Sequence, residues 1–138
     1  MIVDDDADDR NLFCEALMEA NPHCQFITGN NGEHALEILK RPGISLPDFI
    51  FLDINMPRMN GWQCLKLLRE DECCQFIPVI IYSTSQASDD FEKIKELGSV
   101  YFFTKPARFA DLVRGIFYVL NKEWEELKKL NQSLTVRL

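Results

Sequence analysis

Short apolar runs alternate with stretches of helical period along most of this chain. Met1-Ile2-Val3 ends at Asp4, residues 24–28 end at a Gly-Asn-Asn-Gly turn, and Phe49-Ile50-Phe51-Leu52 ends at Asp53. Residues 78–82 end at Ser83, and residues 100–103 end at Thr104-Lys105-Pro106. Continuous apolar runs of this length read as strands buried on both faces, as in a parallel sheet. Between them lie helical faces. Leu12, Phe13, Ala16, Leu17 and Ala20 mark the first, and Ala35, Leu36 and Leu39 the second, stopped by Pro42-Gly43. Trp62, Leu65, Leu68 and Leu67 mark the third from about Gly61. Phe91, Ile94 and Leu97 mark the fourth, capped by Ser88 and stopped by Gly98. A last helix starts near Phe109.

Five strands alternating with five helices predict an α/β fold: a doubly wound, five-stranded parallel sheet with helices on both faces. The strand order expected for one domain is 2-1-3-4-5, the flavodoxin-like arrangement. The 138 residues suit a single core, and 46% hydrophobic with 27% charged is a globular composition. The domain is expected to span residues 1–121, with 122–138 a helical extension or tail and no effector domain.

Charge and cysteines narrow the class. A net charge of −7 argues against a non-specific binder of nucleic acid or anionic membrane. The five cysteines form no CxxC pair, and only two histidines are present, which argues against zinc and for reduced thiols. No basic leader precedes the acidic run and no apolar run is long enough to span a membrane, so a cytoplasmic protein is expected.

The chemistry collects at the carboxyl ends of strands. In order 2-1-3-4-5 the first strand brings Asp4 and Asp5, the third Asp53, the fourth Ser83 and Thr84, and the fifth Lys105 to one sheet edge. Asp8 and Asp9 are accounted for by the first helical turn, where the dipole favours anions. Three carboxylates in one pocket cannot all stay ionised unpaired. A hard divalent cation with oxygen ligands neutralises them, and Mg²⁺ fits a site that keeps waters and a phosphate. A carboxylate beside Mg²⁺ is a nucleophile toward a phosphoryl group, with Lys105 and the Ser83 hydroxyl meeting the phosphoryl oxygens.

Val3-Asp4-Asp5, Asp53-Ile54-Asn55-Met56-Pro57 with Gly61, Ser83, and Lys105-Pro106 occur in this order over residues 1 to about 121. In this the chain resembles the receiver domains of two-component response regulators, and the single-domain chemotaxis type in layout. The resemblance implies Asp53 as phosphoacceptor, with Asp5, Asp53 and the backbone carbonyl of Asn55 as direct Mg²⁺ ligands and Asp4 acting through water. It implies Ser83 and Phe102 as the switch pair, Lys105 as the phosphoryl-binding lysine, and a cis Lys105–Pro106 bond. Thr84, where the family usually has Ala or Gly, is expected to narrow access. Ala107-Arg108 replaces the usual Phe after Lys-Pro, and Phe109 is expected to supply that packing.

The function this implies is a stand-alone response regulator in phosphorelay signalling. A histidine kinase would act upstream and a target or phosphotransfer protein downstream. It would be no enzyme beyond its own phosphoryl transfer and dephosphorylation. An Asp-nucleophile phosphohydrolase would want a second Asp where Asn55 stands, and a degenerate binding module would have lost an acidic position or Lys105. Finally, Val113, Phe117, Leu120, Trp124, Leu127, Asn131 and Leu134 are spaced 4-3-4-3-4-3. That heptad offers a homodimer seam along the last helix. The competing reading puts Leu112, Val113, Ile116, Phe117 and Leu120 on the core face and leaves the rest as a solvated tail.

Overall fold

The computed structural model describes residues 1–84, 97 and 100–122. Five strands, β1 (Ile2–Val3), β2 (Thr28–Gly29), β3 (Ile50–Leu52), β4 (Val79–Ser83) and β5 (Val100–Thr104), form one sheet in the order β2-β1-β3-β4-β5, every pair parallel. Among the described residues there are four helices: α1 (Ala7–Ala20), α2 (Gly32–Leu39), α3 (Gly61–Glu70) and α4 (Phe109–Leu120). The fold class and strand order expected from the sequence are therefore those observed. The expected fourth helix, from Ser88 to Gly98, lies outside the described residues apart from Leu97, as does the tail from 123 to 138.

The period of two along each strand sorts the core into two layers. Val3, Ile50, Leu52, Val79, Ile81 and Phe102 face α2 and α3, meeting Ala35, Leu39, Cys64, Leu65 and Leu68. Ile2, Phe51, Ile80, Tyr82, Tyr101 and Phe103 face α1 and α4, meeting Phe13, Leu17, Leu112, Ile116 and Val119. Aromatic rings dominate the second layer: Phe13 lies 4.7 Å from Phe51 and 5.3 Å from Tyr82, and Tyr82 lies 5.6 Å from Phe103, centroid to centroid. Such tilted contacts add to the apolar burial.

Boundaries moved where polar residues caught helix ends. Asp6 caps α1, accepting from the N–H groups of Asp8 and Asp9. Asn31, expected in a turn, caps α2 by accepting from the His34 N–H. Asn60 and Gln63 form a capping box at α3. The second strand is only Thr28–Gly29 rather than 24–28, because β1 offers two residues to pair with. Leu67 is exposed, and the buried fourth contributor to α3 is Cys64. Phe117, placed on the core face by one reading, is also exposed. The Lys105–Pro106 bond is trans, not cis, the isomer an X–Pro bond ordinarily favours.

Gly61 links fold to site. Its N–H donates to the Ile54 carbonyl at 2.8 Å. A Cβ there would collide with the Asp53 carbonyl oxygen and come within 2.8 Å of Ile54 Cα. Both obstacles are backbone, so α3 can start this close to the end of β3 only at a glycine. Gly61→Ala is expected to lower stability by about 2 kcal/mol through forced displacement, measured by urea denaturation. A loss below about 0.5 kcal/mol would mean the loop yields freely.

Candidate phosphoryl-acceptor site

Backbone pairing puts the acidic residues where the sheet ends. The Asp4 N–H donates to the Gly29 carbonyl at 3.1 Å, and the Asp53 N–H to the Val3 carbonyl at 2.9 Å. Asp4 and Asp53 are buried, whereas Asp5 is exposed. One carboxylate oxygen from each of Asp4, Asp5 and Asp53 lies within 4.8 Å of the other two. On the far side, the Lys105 N–H donates to the Ser83 carbonyl at 3.0 Å, which lays the lysine across the end of β4. Its ammonium lies 2.6 Å from Asp4 Oδ2, 2.8 Å from Asp9 Oδ2 and 3.9 Å from Asp53 Oδ2.

Burial pushes the Asp4 and Asp53 carboxyls above the usual carboxylate range, against the pull of Lys105 on both. Asp4 is further held down by the Asp6 N–H, and Asp53 by the Ile54 N–H and the Ser83 hydroxyl. Lys105 loses hydration, but its carboxylate partners together hold its ammonium above the ordinary lysine value. The Tyr82 ring lies beneath it, 5.3 Å from Nζ to the centroid. Burial raises the Tyr82 phenol as well.

The residues singled out from the sequence therefore fall into three groups. Asp4, Asp5, Asp53, Ser83 and Lys105 converge. Asn55 lies two residues past Asp53 with its side chain exposed, and Thr84 is exposed beside Ser83. Phe102 is buried on the opposite face from Tyr82, paired in register with Ile81.

Two contributors were missed. Asp9, read as a helix-dipole carboxylate, is a direct partner of Lys105. It stands third in α1, and helical side chains lean toward the N-terminus, which points it back over the strand ends. Tyr82 was read as strand filler. Arg10 adds a third contact, donating to the Asp4 carbonyl at 2.7 Å.

The donor set suits a hard cation. Three carboxylate oxygens, two of them poorly hydrated and raised in pKa, offer the oxygen ligation Mg²⁺ prefers. Asp5 and Asp53 would hold the cation directly, with Asp4 reaching it through water. Asp4 would then be shared between the cation and Lys105.

Residues 1–117 match the family described as the response regulator receiver domain. The chain belongs to that family. This receiver is 31% identical over 118 residues to the polar-differentiation response regulator DivK of Brucella anthropi, a match covering 83% of this chain and 92% of DivK. It is 30% identical over 116 residues to stress response regulator protein 1 of Candida tropicalis, covering 83% of this chain but only 43% of that longer protein. Among solved structures, the phosphorylated cyanobacterial phytochrome response regulator RcpA superposes with a TM-score of 0.76 at 28% identity, over 86% of this receiver and 87% of RcpA. Receivers of this family serve two-component systems, and phosphorylation and Mg²⁺ are typical of them. Among the described residues no helix is long and apolar enough to cross a membrane.

The raised carboxyl pKa values give a signed pH dependence. The folded receiver holds protons that the unfolded chain has already released. Without a cation, stability therefore falls as pH rises from the unfolded carboxylate value, near about 4, through the raised folded values. In EDTA at pH 7, Asp53→Asn is expected to be more stable than wild type, and the difference should shrink toward pH 4. Chemical denaturation at both pH values measures this. A variant less stable than wild type at pH 7 would show that Lys105 and Ser83 outweigh the cost of burial.

Proposed function

We propose that this receiver is a phosphorylation-switched signalling module that takes a phosphoryl group on Asp53 from a histidine kinase. The observation that carries the proposal is the convergence of the Asp4, Asp5 and Asp53 carboxylates with the Lys105 ammonium and the Ser83 hydroxyl. Asp53 is already ionisable and needs no general base. One of its oxygens bonds to phosphorus as the bond to the donor nitrogen breaks, giving an acyl phosphate. Asp5, Asp53 and the Asn55 backbone carbonyl would hold Mg²⁺, with Asp4 acting through water. The bound cation would supply charge stabilisation for the phosphoryl oxygens. Lys105 and Ser83 bind those oxygens from the other side.

The switch is a population shift. Drawing Ser83 toward the phosphoryl group opens space along β4, and Phe102, with no hydroxyl to satisfy, packs inward. It is already buried in this structure, beside Ile81 and Leu97. The proposed receiver unit runs through residue 121, with 122–138 a C-terminal extension. The protein acts in the cytoplasm through partners, a kinase upstream and a target or phosphotransfer protein downstream. Catalysis is confined to its own phosphorylation and dephosphorylation.

Self-association along the last helix is proposed as well. Phe117 and Tyr118 are 55% and 54% exposed on α4, more than core packing leaves. The heptad positions beyond Lys122 lie outside the described residues.

Intact mass after incubation with a small phosphodonor tests the chemistry. A gain of one phosphoryl group is expected in wild type with Mg²⁺, and none without Mg²⁺ or in Asp53→Asn. A folded, Mg²⁺-binding protein that gains nothing would overturn the assignment. Light scattering over a concentration series tests association. A dimer fraction that falls in Phe117→Ser supports it, and monomer throughout, with and without a phosphoryl mimic, removes it.

A further inference from the structure

Among the described residues the Lys105 ammonium has two short partners, and only one of them belongs to the acidic triad. Asp4 Oδ2 is 2.6 Å away and Asp9 Oδ2 is 2.8 Å away, while Asp53 Oδ2 is 3.9 Å away. Among the described residues the groups facing this ammonium come from four elements: Asp4 at the end of β1, Asp9 from α1, Asp53 at the end of β3, and the Tyr82 ring from β4. An ammonium has three N–H donors. Asp4 and Asp9 engage two, and the third is left for the side on which Asp53 lies.

We propose that Asp9 is a positioning residue for the phosphoryl transfer, clamping Lys105 from α1 so that its remaining N–H addresses the phosphoryl group on Asp53. This rests on the reading of Asp53 as phosphoacceptor and assigns a part to a residue outside the acidic triad. The need for a second clamp follows from competition for Asp4. Once Asp4 serves a cation, its hold on Lys105 weakens. A lysine on a flexible four-carbon stem would then sample many rotamers unless something else holds it. Asp9 takes no part in the triad and keeps its grip. Its place in α1 is itself fixed, since the Asp6 side chain caps the helix on the Asp9 N–H at 3.1 Å. The Tyr82 face completes the cradle from below.

The contact is partly open to solvent, Asp9 being 42% exposed at its side chain, so screening moderates its strength. The test compares wild type with Asp9→Asn, Asp9→Ala and Asp9→Glu in two measurements. The first is the rate of mass gain from a small phosphodonor at saturating Mg²⁺. Asp9→Asn and Asp9→Ala are expected to slow it about three- to fivefold, and Asp9→Glu to restore most of it, which a merely structural role would not do. The second is acylation of Lys105 by an amine-reactive ester, read by peptide mass without any phosphodonor. Lys105 should be protected in wild type and label several-fold faster in Asp9→Asn, with surface lysines such as Lys66 unchanged.

A rate that is equal to wild type or faster in Asp9→Asn would overturn the proposal, the latter because Asp9 would then be a competitor for Lys105. Equal Lys105 labelling would overturn it too. If wild type itself gains no mass, the phosphoacceptor reading fails and the transfer role of Asp9 falls with it. The labelling would then still report separately whether Asp9 holds the lysine.

Discussion

Confinement of like charge is the constraint on which the rest of this receiver depends. Two unit charges about 5 Å apart repel by about 3 kcal/mol at an effective dielectric of 20, and Asp4 and Asp53 are taken out of water as well. The fold accepts this because Lys105 lies across the same edge, shared among Asp4, Asp9 and Asp53. The arrangement is satisfied but not saturated. Of these three, Asp53 lies farthest from the ammonium, and it is the one proposed to accept the phosphoryl group. The clamped lysine and the underneutralised aspartate are two consequences of the same placement.

That placement is imposed by the sheet and leaves little to the loops. Asp4 and Asp53 each donate a backbone N–H to a neighbouring strand, and Lys105 does the same to Ser83, so the three carriers cannot drift apart without breaking the ladder. Gly61 lets α3 start directly against the Asp53 carbonyl, which fixes the loop from Ile54 to Asn60. Both faces of the sheet are packed, one by aliphatic side chains and Phe102, the other by the Phe13, Phe51, Tyr82 and Phe103 rings. An edge held this way would present the proposed phosphoryl-binding groups in one geometry. On the proposed switch, a small displacement at Ser83 would pass along β4 to the residues beside it.

The sequence by itself determined the architecture and most of the site. Apolar runs ending in Asp4, Asp53, Ser83 and Lys105 gave the strands and their polarity. The alternation with helices fixed a parallel sheet in the order observed, and that order alone brings those four residues to one edge. The sequence was also explicit about glycine after the Asp53 loop, although not about why. What it left open depends on direction and competition in three dimensions. Asp9 has an adequate local explanation as a first-turn acid, and only the tilt of its side chain over β1 makes it a partner of Lys105. Tyr82 alternates like any strand residue, and only the register of β4 places its ring under the ammonium. Phe117 fits a helical core stripe, yet the packing of α1 against α4 is filled by Leu112, Ile116 and Val119, leaving it in solvent. The length of β2 was set by its partner and not by its own apolar run, since a strand pairs only as far as its neighbour extends. Residue type and spacing are local and survive in one dimension. Which side chain reaches which charge is decided by tilt, register and what else fills the space, and those exist only in the folded chain.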